Sequence, residues 1–197
     1  MANALTVARS ELILGGQKSG KSRRAEQLAA AWLAQSPAHR AVLIATACAH
    51  DDEMRARIAR HRRERAERVP GMTTVEAPRD LAAVITNAGG AETLRVVDCL
   101  TLWLTQRLMP AGVEYEQNRA PAPDWQAQAA MINVAIERCP GPVVLVGNEI
   151  GLGVIPLGRD TRAFVDALGT LNQQAAAVCQ RVTLMAAGLP LVLKDAA

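Results

Sequence analysis

Eight consecutive residues of this chain have the types and spacing to hold a nucleotide's phosphates. Gly15-Gly16-Gln17-Lys18-Ser19-Gly20-Lys21-Ser22 fits G-x-x-x-x-G-K-[ST]. Glycines let the backbone turn with positive φ, so that successive N–H groups converge on phosphate oxygens. Lys21 supplies a positive charge to the β- and γ-phosphates, and the Ser22 hydroxyl suits Mg²⁺. A helix beginning at this point presents its positive end to the same anion.

Three other stretches carry chemistry. Val96-Val97-Asp98 ends an apolar run with a carboxylate; beside a phosphate loop, such an Asp holds Mg²⁺ together with the loop's Ser, and otherwise it caps the following helix. Residues 51–67 read as a helix in which Met54, Ile58, His61 and Arg65 fall at i, i+4, i+7 and i+11 and share one face. His61 therefore lies among arginines, a setting that attracts polyphosphate and favours the neutral, nucleophilic imidazole. His39 and His50 lack this setting. The third stretch runs from Val146 to Pro156, a strand entering a loop with glycines at 147, 151 and 153 and with Asn148 and Glu149 at its mouth. Polar groups at the carboxyl end of a strand commonly meet ligand. Arg159 and Arg162 follow near the start of a helix, within reach of phosphate or on a solvated face.

The elements that must position these residues alternate along the chain. Apolar, β-branched runs at 11–14, 41–45, 73–76, 94–97, 143–147, 182–185 and 189–193 read as strands, the last one after a Gly-Leu-Pro turn. Helical patterns occupy 23–35, 51–67, 79–87, 100–108, 125–138 and 161–180. Such alternation predicts an α/β fold, a mostly parallel central sheet flanked by helices on both faces. Residues 109–124, with prolines at 110, 121 and 123, read as an exposed loop. The length of 197 residues predicts one domain spanning 1–197.

Half of the residues are apolar, which excludes a disordered chain, and no apolar run approaches the ~20 residues of a membrane span. The first ten residues lack the pattern of a signal peptide, so a cytoplasmic protein without stable membrane insertion is expected. The net charge is only +3, yet seven arginines and two glutamates crowd between Arg55 and Arg68. A phosphate-rich small ligand, nucleic acid or a membrane surface would each suit that segment. Cys48, Cys99, Cys139 and Cys179 have neither metal-ligand nor redox spacing and read as reduced filler.

Taken in order, these segments resemble the bifunctional adenosylcobinamide kinase / adenosylcobinamide-phosphate guanylyltransferase family of cobalamin biosynthesis. The resemblance rests on the phosphate loop, Ile44-Ala45-Thr46-Ala47, Asp51-Asp52-Glu53-Met54 with His61 beyond it, Val75-Glu76-Ala77-Pro78 and Asp98-Cys99-Leu100-Thr101-Leu102-Trp103-Leu104. It continues through Asn148-Glu149-Ile150-Gly151-Leu152-Gly153 and Gly169-Thr170-Leu171-Asn172-Gln173, nearly the whole chain. Departures include Met72 where the family usually has tryptophan, and Val165 where arginine is common.

The resemblance implies a RecA-like P-loop NTPase fold and two reactions. ATP or GTP would phosphorylate adenosylcobinamide; GTP would then guanylylate a histidine that passes GMP to adenosylcobinamide phosphate. His61 aligns with that histidine, and Lys21 is the second catalytic candidate. Gly15, Gly16, Gln17, Lys18, Ser19, Gly20, Lys21, Ser22, Ala45, Thr46, Ala47, Arg62, Arg63, Glu64, Arg65, Glu76 and Asp98 match nucleotide-binding segments, with Ser22 and Asp98 expected to hold Mg²⁺. The family is also typically homo-oligomeric, a trimer in the reference case. Partners would be small-molecule substrates rather than nucleic acid. Two other readings compete: a simpler P-loop small-molecule kinase without a covalent intermediate, and a RecA-like ATPase whose arginine helix clamps nucleic acid. The near absence of Phe and Tyr speaks against base stacking.

Overall fold

The computed structural model describes residues 5–48, 52–77, 80–109 and 124–196. The cap expected at Asp51, the helix start at Arg79 and most of the loop over 109–124 lie outside them, as does the side chain of Arg57. The described chain runs β1 (Ser10–Gly15), α1 (Lys21–Gln35), β2 (Arg40–Ala45), α2 (Asp52–Arg68), β3 (Met72–Glu76), α3 (Leu81–Asn87), β4 (Thr93–Asp98) and α4 (Leu100–Leu108). It continues with α5 (Trp125–Arg138), β5 (Val143–Val146), α6 (Arg159–Val178), β6 (Arg181–Ala186) and β7 (Leu189–Asp195).

Seven strands form one sheet in the order β3-β2-β4-β5-β1-β6-β7. All neighbours are parallel except β6 and β7. Alternation along the central strands explains the two-faced core. Leu12, Leu14, Val97, Leu145 and Val182 pack with Trp103, Ile132 and Leu171 on one face. Ile13, Val96, Val144 and Met185, one residue out of phase, pack with Ala25, Leu28 and Val69 on the other. The strands adjoining β1 therefore need apolar residues at nearly every position, which is why their sequences read as continuous apolar runs.

One buried polar network fixes α1 against the sheet. Glu11, fully buried in β1, accepts from Arg24 Nε at 2.9 Å and from the Thr183 hydroxyl of β6 at 2.7 Å. It ties the helix that follows the phosphate loop to the strands on either side of that loop. A buried carboxylate needs such partners to remain charged.

Element ends differ from the sequence reading in informative places. Helix α1 begins at Lys21, so Lys21 and Ser22, expected to meet phosphate and metal, sit in its first turn. Asp98 is the last residue of β4 rather than the residue after it. Helix α6 starts at Arg159, with Asp160 suiting its first turn, and ends at Val178 as Cys179 turns extended. The final hairpin turns at Ala187-Gly188, whose φ values of 50° and 79° suit a two-residue turn, and not at Gly-Leu-Pro. Pro190 instead lies inside β7, which is tolerated because β7 is an edge strand.

Candidate active site

The phosphate loop leaves β1 at the centre of the sheet and bends back into α1. Gly15 (φ 149°), Lys18 (φ 56°) and Gly20 (φ 103°) take positive φ. At Gly15 glycine is compulsory: a Cβ would stand 2.5 Å from the Met185 carbonyl oxygen and 2.6 Å from Ser19 Oγ. The loop is closed by Ser19 N–H on Gly16 C=O (3.3 Å) and braced from β6–β7 by Gly188 N–H on Ser19 C=O (3.0 Å). Lys21 Nζ donates to Gly16 C=O at 2.6 Å, which holds the ammonium over the loop. Burial pulls the Lys21 pKa down from its ordinary 10.5, and the nearby Asp98 carboxylate opposes that. Gly16, Gln17 and Lys18 are exposed, so the loop's outer surface is open to a ligand.

Asp98 meets this loop from the adjacent strand end. Ser22 Oγ donates to Asp98 Oδ2 at 3.1 Å, which brings the hydroxyl and the carboxylate together. Arg65 comes to the same place from α2: it is buried, desolvation lowers its pKa, and Asp98 is the largest influence resisting that. Thr46 is fully buried, its hydroxyl donating to Cys99 C=O and accepting from Cys99 N–H, each at 2.8 Å. Its side chain thus ties the ends of β2 and β4 together; the Thr46 carbonyl accepts from Gln106 Nε2. Ala45 and Ala47 flank it, half-buried. The Cys99 thiol is pushed up to about 12, chiefly by burial, which keeps it inert. All four cysteines are free; Cys99, Cys139 and Cys179 are buried filler and Cys48 is half-buried.

The sheet's β3 edge carries the second cluster. Helix α2 packs beside β3, and Arg62, Arg65, Ala66, Met72, Thr74 and Glu76 line an open pocket of about 520 Å³ between them. The helix supplies positions i, i+3 and i+4, and the strand supplies alternate residues, so each element turns one face inward. Arg62 pairs with Glu76 across the pocket. Arg63 is exposed away from it, and Glu64 instead bonds Arg68 at 3.3 Å on α2 itself. His61 is exposed, one turn before Arg65 on the same helix face. Among the expected residues, the structure thus joins Ser22 and Asp98, with Lys21 next in the chain, in one cluster and Arg62, Arg65 and Glu76 in another, with Arg65 feeling the charge of Asp98.

Sequence reasoning assigned no partners to the segment after β5, and the structure gives them. Asn148 N–H donates to Thr101 Oγ1 at 2.8 Å, and its C=O accepts from Asn172 Nδ2 at 3.0 Å. Glu149 N–H donates to Gly15 C=O at 3.1 Å. Asn172 belongs to the resemblance segment 169–173, to which the sequence gives no role; its buried position at 5% exposure and its bond to Asn148 C=O mark it as a structural anchor. Arg162 turns back onto the carbonyls of Pro156 (2.9 Å) and Leu157, closing the far end of the loop.

With this geometry in place, likeness to known proteins becomes decisive. The family described as Cobinamide kinase / cobinamide phosphate guanyltransferase (CobU) matches residues 11–193. The chain belongs to this family. Its relatives include the bifunctional adenosylcobalamin biosynthesis protein CobP of Pseudomonas aeruginosa, 44% identical over 93% of this chain and 96% of that protein. CobU of Escherichia coli is 35% identical over 93% and 98% respectively. Among solved structures, flagellar accessory protein FlaH from Methanocaldococcus jannaschii superposes with a TM-score of 0.51 at 12% identity, covering 98% of this chain and 81% of that one. A second solved structure, of an ATPase domain, superposes with a TM-score of 0.56 at 10% identity, covering 96% and 78%. At that identity the likeness speaks for fold alone, a RecA-like P-loop fold. As a CobU family member the chain is an enzyme of the kinase and guanyltransferase class, and no helix among its described residues is long and apolar enough to cross a membrane.

Proposed function

We propose that this CobU family member is a bifunctional enzyme of cobalamin biosynthesis. It phosphorylates the aminopropanol hydroxyl of adenosylcobinamide with ATP or GTP, then passes GMP from GTP through guanylylated His61 to give adenosylcobinamide-GDP. The observation that carries this reading is the position of α2: its buried Arg65 lines a pocket with Glu76, which is in register through Ala45 with Asp98, while His61 lies one turn away on the same helix face. One nucleotide-binding region thus has a charge-stabilising loop at one end and a nucleophile beside it.

For phosphorylation, the loop N–H groups, the first turn of α1 and the Lys21 ammonium hold the β- and γ-phosphates and stabilise charge on the departing diphosphate. Ser22 and Asp98 offer a hydroxyl and a carboxylate in contact, a hard-oxygen pair that would hold Mg²⁺. Mg²⁺ there would neutralise charge building on the phosphates. For transfer, the His61 imidazole attacks the α-phosphorus: an N–P bond forms, the α–β bridging P–O bond breaks, and pyrophosphate leaves. A phosphate oxygen of the acceptor then displaces His61 from the GMP phosphorus, which returns the free imidazole. Arg62 and Arg65 supply positive charge to both displacements.

The pocket between α2 and β3 has a ligand-sized volume. A carboxylate such as Glu76 can accept from the adjacent N–H groups on guanine's edge, which supports GTP as the donor. We also read the enzyme as a cytoplasmic homo-oligomer, a trimer as in the reference case. The exposed Leu189, Leu191 and Leu193 on the open edge strand β7 support self-association.

The test is an intact mass after incubation with Mg²⁺ and GTP, beside a His61→Ala variant. A GMP-sized, acid-labile gain on the wild type alone is expected. No adduct while GTP demonstrably binds would leave a plain P-loop kinase.

A further inference from the structure

The segment after β5 combines two features that the phosphate site does not use. The first is a carboxylate. β5 lies between β4 and β1, and Val146 is in register with both Asp98 and Ile13. A residue just beyond β5 therefore sits between the Asp98 end of the site and the phosphate loop. Glu149 occupies that place, pinned by its N–H on Gly15 C=O and by the two bonds that hold Asn148. Its Oε1 accepts from Gly151 N–H at 2.7 Å, and no ion pair engages it among the described residues. A Cβ on Gly151 would come within 3.1 Å of that oxygen, so glycine there leaves the carboxylate its position.

The second feature is an apolar surface. Within eight residues, Ile150 (40% exposed), Leu152 (81%), Val154 (97%), Ile155 (76%) and Leu157 (97%) stand in solvent. Apolar side chains in such density on a loop that abuts a reaction centre mark a surface that a ligand covers. The Glu149–Gly15 bond ties this segment to the phosphate loop, so a molecule lying on the surface lies beside that loop.

We propose that the segment from Glu149 to Leu157 is the acceptor subsite of the kinase reaction. The apolar residues carry the methyl-rich face of the corrinoid ring, and Glu149 receives the proton of the acceptor hydroxyl. This rests on the kinase reading given above. As the acceptor oxygen bonds the γ-phosphorus, the bond from that phosphorus to the β–γ bridging oxygen breaks. The hydroxyl proton passes to the Glu149 carboxylate and then to water, and the nucleoside diphosphate departs.

The experiment measures cobinamide phosphorylation and, separately, GTP-dependent guanylylation in the wild type, Glu149→Gln and a Leu152→Ser/Val154→Ser double variant. Glu149→Gln is expected to lower kcat for phosphorylation about 100-fold with the acceptor KM unchanged. The double variant is expected to raise the acceptor KM about tenfold with kcat and nucleotide KM unchanged. Guanylylation, which needs a folded nucleotide site but not the acceptor hydroxyl, should persist in both, and sedimentation should give the wild-type oligomeric state. An unaffected kcat in Glu149→Gln overturns the proton-acceptor assignment. An unchanged acceptor KM in the double variant, with an altered oligomeric state, overturns the platform and makes this loop a subunit contact. A wild type that guanylylates itself yet phosphorylates no cobinamide removes the kinase reading, and the inference with it.

Discussion

In the proposed function the phosphate loop and the α2–β3 edge serve the same nucleotide, yet they are built in opposite ways. The loop lies inside the sheet, anchored by bonds from β6–β7, the segment after β5 and α1, and at Gly15 and Gly20 it takes backbone conformations that favour glycine. The edge is thinly packed: β3 is mostly exposed, and Arg65 is the only buried residue among the described side chains of α2. The contrast teaches a division of labour. Phosphoryl transfer calls for preorganised charge stabilisation, which a loop anchored on several sides provides. In the proposed transfer, His61 receives GMP and then gives it up, meeting two partners in turn, which suits an exposed helix at the sheet's margin. Elements with few buried contacts also open most readily.

Removing the cation from the rigid region should have the largest effect. Lys21→Met is expected to lower phosphoryl transfer by about 10³-fold, measured as cobinamide-dependent nucleotide consumption. Its stability should hold or rise, because burial disfavours the charged amine. The sign follows from the lowered pKa: the folded chain binds that proton more weakly than the unfolded chain, so the cost is present at neutral pH. It fades as pH rises through the lowered folded value towards 10.5, and the variant's thermal advantage should narrow there. A smaller effect is expected from Gly15→Ala, which places a methyl 2.5 Å from the Met185 carbonyl at a φ of 149°. Nucleotide affinity should fall at least tenfold and stability by more than about 1 kcal/mol, read by calorimetric titration and thermal melting. If Gly15→Ala bound nucleotide normally, the loop would be far more compliant than its contacts imply.

The rigid region was also the more legible one. Strand, glycine loop and Ala-rich helix are local signals, so the phosphate site, the partner Asp98 and the parallel sheet could be read from runs of neighbouring residues. Contacts between residues far apart in the chain could not. Glu11 reads as an ordinary strand residue until Arg24 and Thr183 are folded around it, and Thr46 reads as a nucleotide contact although its hydroxyl is spent on Cys99. Arg95 is fully buried in β4 with its guanidinium on the backbone carbonyls of Gly89, Gly90 and Thr93, an arrangement with no sequence signature. Helical spacing puts Arg65 on the face of His61, but which of Arg62 and Arg63 meets a ligand depends on β3, far along the chain; packing against it turns Arg62 and Arg65 towards the pocket and leaves Arg63 in solvent. The hairpin turn was misplaced because Pro190 is a strong turn signal, whereas an edge strand tolerates it.

The measurement that tests the division of labour most directly follows both reactions in His61→Ala with adenosylcobinamide, ATP and GTP, products resolved by chromatography. The account predicts that adenosylcobinamide phosphate accumulates at close to the wild-type rate while no adenosylcobinamide-GDP forms. Formation of adenosylcobinamide-GDP by the variant would contradict the covalent role of His61, and equal loss of both products would contradict the separation of the two regions.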